Sequence, residues 1–169
     1  MKPYYIVFTS ETGHTKQYAK IISDKTSIPC ISFEEAKNTL DKNTPVIYMG
    51  WLFAGTVKDY KKAKKLFNVC AVLGVGLCPS GELISETRKR LNLPQSIPLF
   101  TLQGGIDTNA LQGVYKKMIE TLTRFLEKKK NKSEKDKGML TLLKENKSYV
   151  AEENANAFIE WYREQKENV

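Results

Sequence analysis

Residues 4–15, Tyr4-Tyr5-Ile6-Val7-Phe8-Thr9-Ser10-Glu11-Thr12-Gly13-His14-Thr15, decide how the rest of the chain is read. The apolar, β-branched and aromatic run from Tyr4 to Phe8 has the pattern of a buried strand. Small hydroxyl residues and one glycine follow, and an apolar helical period begins near Gln17. A strand that ends in such a loop and opens a helix leaves free backbone N–H groups at the positive helix end, a ready site for a phosphate. Ser10, Thr12 and Thr15 add hydroxyl donors, and Gly13 lets the backbone approach an anion with no Cβ in the way. The loop holds no lysine or arginine, which suits a phosphate monoester neutralised by dipoles and hydrogen bonds. Neither the Gly-x-x-x-x-Gly-Lys-Ser/Thr pattern of nucleoside-triphosphate loops nor the Gly-x-Gly-x-x-Gly pattern of dinucleotide sites occurs. The plain alternative is an ordinary strand-to-helix turn with Thr12 as the cap.

Outward from this stretch, strands and helical patterns alternate. A helix over 13–25 and a short strand over 28–31 come first. Ser32 and Glu35 then form a capping box that opens a helix to about Leu40. The nearly all-apolar segment 45–50 predicts a third strand covered on both faces. Gly50-Trp51-Leu52-Phe53-Ala54-Gly55 reads as a loop that exposes two large aromatics, with Thr56 capping a lysine-rich helix to about Phe67. Residues 69–76 predict a fourth strand, Ser80 a cap for a helix over 81–91, and 97–103 a fifth strand closed by Gly104-Gly105-Ile106-Asp107. This rhythm predicts an α/β fold, a doubly wound five-stranded parallel sheet of order 2-1-3-4-5. Ligands of such sheets bind outside the carboxyl ends of the strands, beside the first one. Beyond the fifth strand, Leu111, Val114, Tyr115, Met118, Ile119, Leu122, Phe125 and Leu126 recur at helical spacing. About 40 residues here exceed what one closing helix needs, an extra helical segment over about 111–147. That helix reads as a core helix, or as a basic amphipathic one that docks on a membrane or covers the ligand edge.

The 169 residues are expected to form a single domain, 1–169. No apolar stretch approaches the ~20 residues that span a bilayer. The first strand begins almost at once, which leaves no room for a signal peptide, and three cysteines without metal-ligand spacing read as reduced thiols of a cytoplasmic protein. Much of the net charge of +8 sits in the lysine run 128–137. It reads as a solvated loop, or as a contact for an acidic partner or an anionic membrane surface. No aromatic residue interleaves it, which argues against nucleic acid. A phosphoacceptor module would need acidic residues at the ends of strands 1 and 3, and these end in Thr9-Ser10 and Gly50.

The order Ser10-x-Thr12-Gly13-x-Thr15 after the first strand resembles the FMN phosphate loop of flavodoxins, and the resemblance covers about residues 3–107. The Gly104-Gly105-x-Asp107 turn is similar to a flavodoxin-domain branch that includes menaquinone-dependent protoporphyrinogen dehydrogenases. The resemblance implies FMN as cofactor, with Ser10, Glu11, Thr12, Gly13, His14 and Thr15 around its phosphate. Gly50, Trp51, Leu52, Phe53 and Ala54 would lie on one side of the ring, Gly76, Leu77, Cys78 and Pro79 on the other, with Gly104 and Gly105 near its edge; Asp107 reads as a helix cap first, or as a polar contact to that edge. It further implies that a carbonyl between Gly50 and Leu52 accepts the hydrogen that the ring's N5 gains on reduction. His14 stands where flavodoxins often have asparagine; alone it makes neither a metal site nor a triad, and a hydrogen bond at the helix start or ligand edge is its expected role. Two features depart from flavodoxins: the loop after strand 4 has no tyrosine to stack on the ring, and the chain is basic. The implied function is electron transfer with a redox partner protein; the alternative is an FMN-dependent oxidoreductase working with a quinone.

Overall fold

The computed structural model describes residues 3–167. Five parallel strands form one sheet: β1 (Tyr5–Thr9), β2 (Cys30–Ser32), β3 (Pro45–Phe53), β5 (Asn68–Gly76) and β6 (Leu99–Gln103), in the order β2-β1-β3-β5-β6. That is the expected 2-1-3-4-5 order. The short β4 (Thr56–Val57) is an addition, paired antiparallel to β3.

Alternation along the central strands divides the core into two layers. Ile6, Ile47, Met49 and Leu73 face α1 (His14–Thr26) and α7 (Asn156–Glu167), where they meet Tyr18, Ile22, Phe158 and Tyr162. Val7, Val46, Tyr48 and Val72 face the opposite layer, α2 (Phe33–Thr39), α3 (Tyr60–Leu66) and α4 (Ile84–Leu91), and pack on Phe33, Tyr60 and Leu91. The Ser32 hydroxyl accepts from the Glu35 amide at 3.2 Å, as its capping pattern predicts.

The largest difference from the sequence reading lies after Gly50. Trp51, Leu52 and Phe53 are not a loop: they extend β3 and pair back with β4, Leu52 opposite Val57 and Phe53 opposite Thr56. The physical reason is the turn. Ala54 and Gly55 both adopt positive φ, 48° and 72°, the two-residue geometry whose twist matches a hairpin. Thr56 therefore caps no helix; its hydroxyl donates to the Phe53 carbonyl at 2.8 Å, and Asp59 precedes α3 instead. The return leg runs close over Gly50, where a Cβ would stand 2.7 Å from both the Lys58 carbonyl oxygen and Val57 Cγ1. Ser80 likewise caps nothing. Its hydroxyl accepts from the Gln103 amide at 2.9 Å, and α4 begins three residues later than expected, at Ile84.

The extra segment is a helical hairpin, α5 (Gly113–Lys128) and α6 (Glu134–Glu145). The lysine run is thus a loop only in part: Ser133 and Asp136 form a reciprocal capping box that carries its second half into α6. Leu126 and Leu143 join Ile106 and Leu111 in a small apolar cluster against which Leu77, Ile119 and Met139 pack. This cluster seats the hairpin over the carboxyl edge of the sheet. The chain then returns beside the turn after β6, where the Tyr149 amide donates to the Gly104 carbonyl at 2.6 Å.

Gly50→Ala should lower stability by about 1–3 kcal/mol, because the contacts it invades are backbone and a buried side chain. Gly138→Ala, in exposed α6 with nothing within 4 Å of the new Cβ, should be neutral or raise stability by up to ~1 kcal/mol. Urea unfolding of the two variants side by side measures both.

Candidate functional site

A cavity of about 360 Å³ lies at the carboxyl ends of β1, β3, β5 and β6, beneath the α5–α6 hairpin. Its position follows from the topology, since right-handed parallel crossovers bring every loop that follows a strand to this edge.

The loop of residues 10–15 forms one end. Gly13 precedes α1 with φ at 92°, so Gly13, and not Thr12, is the N-cap. A Cβ there would meet nothing nearer than Gln17 Nε2 at 3.9 Å, so the loop's surface is open. The Ser10 hydroxyl accepts from the Lys16 amide at 3.3 Å. The amides of residues 11–15 find no acceptor among the described residues. Together with the α1 dipole they make an anion-attracting concavity. Thr12 Oγ1 lies 2.9 Å from His14 Nδ1. His14 is only 7 % exposed, packed against the Gly104-Gly105 turn. Burial pushes its pKa below the usual histidine value, while the Asp107 carboxylate works against that shift.

Trp51 and Phe53 form the next wall, their ring centroids 5.8 Å apart. Tyr115 of α5 meets Trp51 edge to face at 4.9 Å and 89°. The Lys58 ammonium donates to the Tyr115 hydroxyl and sits 5.0 Å from that ring's centre and 6.0 Å from Trp51's. This hydrogen bond is the main reason its pKa is raised. Trp51 Nε1 is buried with no partner among the described residues, a costly state for an indole N–H. Leu52 turns to the other side of the strand and fills the space that Gly74 and Gly76 leave open.

Leu77 and Cys78 stand across the cavity. Burial pushes the Cys78 thiol up, which favours the neutral form and suits an apolar filler more than a nucleophile. Glu82 and the Glu86–Arg90 ion pair (3.0 Å) border the outer rim, and Leu111, Tyr115, Ile119 and Met139 form the roof.

The structure brings Glu11, Thr12, Trp51, Leu52, Phe53, Ala54, Gly76, Leu77, Cys78 and Gly105 onto one lining. Ser10, Gly13, His14 and Thr15 lie in the adjoining loop and first helical turn. Gly50, Pro79, Gly104 and Asp107 are not on the lining. Gly50 clears the hairpin's return leg, and Gly104 admits Val75 and His14. Asp107 Oδ1 accepts from the amides of Asn109 and Ala110 at 3.0 and 3.2 Å, a turn bond. Of the carbonyls between Gly50 and Leu52, that of Trp51 takes the Lys58 amide at 3.0 Å, and the hairpin holds that peptide in place. Sequence reasoning missed Tyr115, Met139, Lys135 and Arg90 as lining residues. For Tyr115 the helical apolar period was a usable signal; what it lacked was the surface that the period covers.

No family model, curated protein or solved structure matches the chain.

Because folded His14 resists protonation more than unfolded histidine does, the unfolded state binds the extra proton as pH falls through about 6.5. Stability to urea should therefore decline from pH 7.5 toward 5.5, and His14→Gln should flatten that slope. As His14 is the only histidine, equal slopes in the two proteins would refute the assignment.

Proposed function

We propose that the chain is a flavodoxin-like protein that binds FMN at this cavity and acts in electron transfer. The observation that carries the reading is an adjacency: acceptor-free amides at the start of α1 lie beside a cavity walled by Trp51, Phe53, Leu77 and Cys78, with Thr12 on the same lining. The donor set suits a phosphate monoester, since it consists of backbone N–H and hydroxyl groups with no fixed cation in the loop. The cavity is at the small end of ligand sites, room for one flat polycyclic group and little more. The unpartnered Trp51 Nε1 favours a ligand with an acceptor at its edge, because an isolated alkyl or aryl group would leave that N–H unsatisfied.

Bound flavin would supply reversible one- or two-electron chemistry that no side chain here can. The chain's part is to bind and shield. Residues 11–15 would hold the phosphate, and Thr12, itself hydrogen-bonded to His14, would orient a hydroxyl toward it. The aromatic wall and the α5 roof would shield a bound ring from part of the solvent, which strengthens polar contacts made inside. A second reading, an FMN-dependent oxidoreductase of the menaquinone-dependent protoporphyrinogen dehydrogenase type, is favoured by that roof. A plain carrier needs its ring edge open to a partner, whereas α5 and α6 cover the cavity from above.

Added FMN should bind at micromolar concentration or tighter, with a shifted visible spectrum and quenched flavin fluorescence; an unchanged spectrum at that concentration would end the proposal. Trp51→Leu keeps apolar bulk but removes the aromatic contribution of ~0.5–1.5 kcal/mol, so affinity should fall about threefold to tenfold. Thr12→Val removes a hydrogen bond to a charged group, and its loss should be larger, about tenfold to a hundredfold. Turnover with menaquinone and protoporphyrinogen, or its absence, separates the two readings.

A further inference from the structure

The helix that roofs the cavity is apolar on more of its circumference than the cavity uses. Val114 is 69 % exposed, Phe125 64 %, Met118 38 % and Leu122 37 %. At 100° per residue these four fall on one stripe of α5, contiguous with the buried edge that carries Tyr115 and Ile119. Four large apolar side chains open to water along one helix are not explained by the fold, whose core is complete without them.

The charges beside the stripe indicate what covers it. Lys117, Arg124 and Lys128 recur at i, i+7 and i+11 and line its free flank, and Lys130 follows just past the helix end. All four are exposed, and none forms an ion pair among the described residues. Two carboxylates, Glu120 and Glu127, share the helix with them, so the row keeps a cationic excess and is not purely basic. Glu127 is engaged by Lys144 at 2.7 Å, and Glu120, one turn from both Lys117 and Arg124, forms no ion pair among the described residues and faces away from the stripe.

We propose that α5 is a peripheral docking element for an anionic lipid surface, lying in the interface plane with Val114, Met118, Leu122 and Phe125 among the acyl chains and the flanking cations at the headgroups. A second copy of the chain fits less well, because a two-fold contact over this stripe would set the Lys117-Arg124-Lys128 row near its own image. A protein partner is also less suited: the cations are mostly lysines, which specific protein interfaces deplete, whereas a lipid surface attracts them without demanding a fixed geometry. No helix among the described residues is long and apolar enough to cross a membrane. Leu122 also borders the cavity, so docking brings the roof of the cavity to the bilayer and offers an apolar molecule dissolved there a short lateral path. The docking itself does not depend on what the cavity holds.

The test is flotation of the full chain, without added flavin, on vesicles of phosphatidylcholine alone or mixed equally with phosphatidylglycerol. Binding to the mixed vesicles should be at least about tenfold stronger and should fall as salt is raised. The Lys117→Gln, Lys128→Gln pair should lose about thirtyfold, two surface charges at ~1 kcal/mol each. Val114→Ser with Phe125→Ser should abolish binding, and Phe125→Trp should blue-shift its emission only when mixed vesicles are present. These positions are exposed, so circular dichroism and the urea midpoint should stay unchanged. Absence of binding to the mixed vesicles, binding that survives loss of Val114 and Phe125, or a soluble dimer that dissociates in the serine variant would overturn the proposal.

Discussion

A parallel sheet built from crossovers has one inescapable property: every strand ends, and every following segment starts, at the same edge. Backbone donors that the sheet and helices cannot satisfy accumulate there. Among the described residues such groups include the amides at the start of α1, beside the end of β1, the strand at which the order reverses. The rest of the site is arranged around that edge. Gly13 opens the loop, the β3–β4 hairpin raises an aromatic wall on one side, and Leu77 and Cys78 close the other.

The aromatic wall depends on backbone geometry more than on side-chain preference. Two successive positive-φ residues turn β3 back on itself, and Gly50 permits the return leg to pass at van der Waals distance. With that turn in place, Trp51 and Phe53 both wall the cavity, while Leu52, which also borders it, fills the space over Gly74 and Gly76. A strand's twofold alternation, imposed by the hairpin, thus sets Trp51 and Phe53 on one face of the strand and Leu52 on the other.

The α5–α6 hairpin changes the character of the site. A five-stranded sheet could leave its carboxyl edge open, yet here a pair of helices stands over it on a small cluster centred on Ile106, Leu111, Leu126 and Leu143. Tyr115 comes from this hairpin and meets Trp51 edge to face, and Lys58 ties the tyrosine hydroxyl to the return leg of β4. Roof and wall are therefore joined by one aromatic and one polar contact, so access to the cavity is coupled to where α5 sits.

Much of this was legible in the order of residues. Ile6-Val7-Phe8 followed by a serine, threonine and glycine loop announced the first strand and the amide-rich turn, because local periodicity and glycine content report local backbone state directly. The strand order followed from strands and helices alternating, since handedness leaves few ways to wind them. Other features were decided only by tertiary structure. Ala54-Gly55 does not carry the usual signature of a two-residue hairpin, so its positive φ pair, and with it the extended state of Trp51, depended on β3 and β4 pairing. Ser80 and Thr56 resemble helix caps in sequence, but their hydroxyls bond Gln103 and Phe53, one of them distant in the chain. Tyr115 belongs to a helical stripe that sequence reveals; that it faces Trp51 was settled by the packing of α5 over the sheet edge, a contact between segments more than sixty residues apart on which local propensity has no bearing.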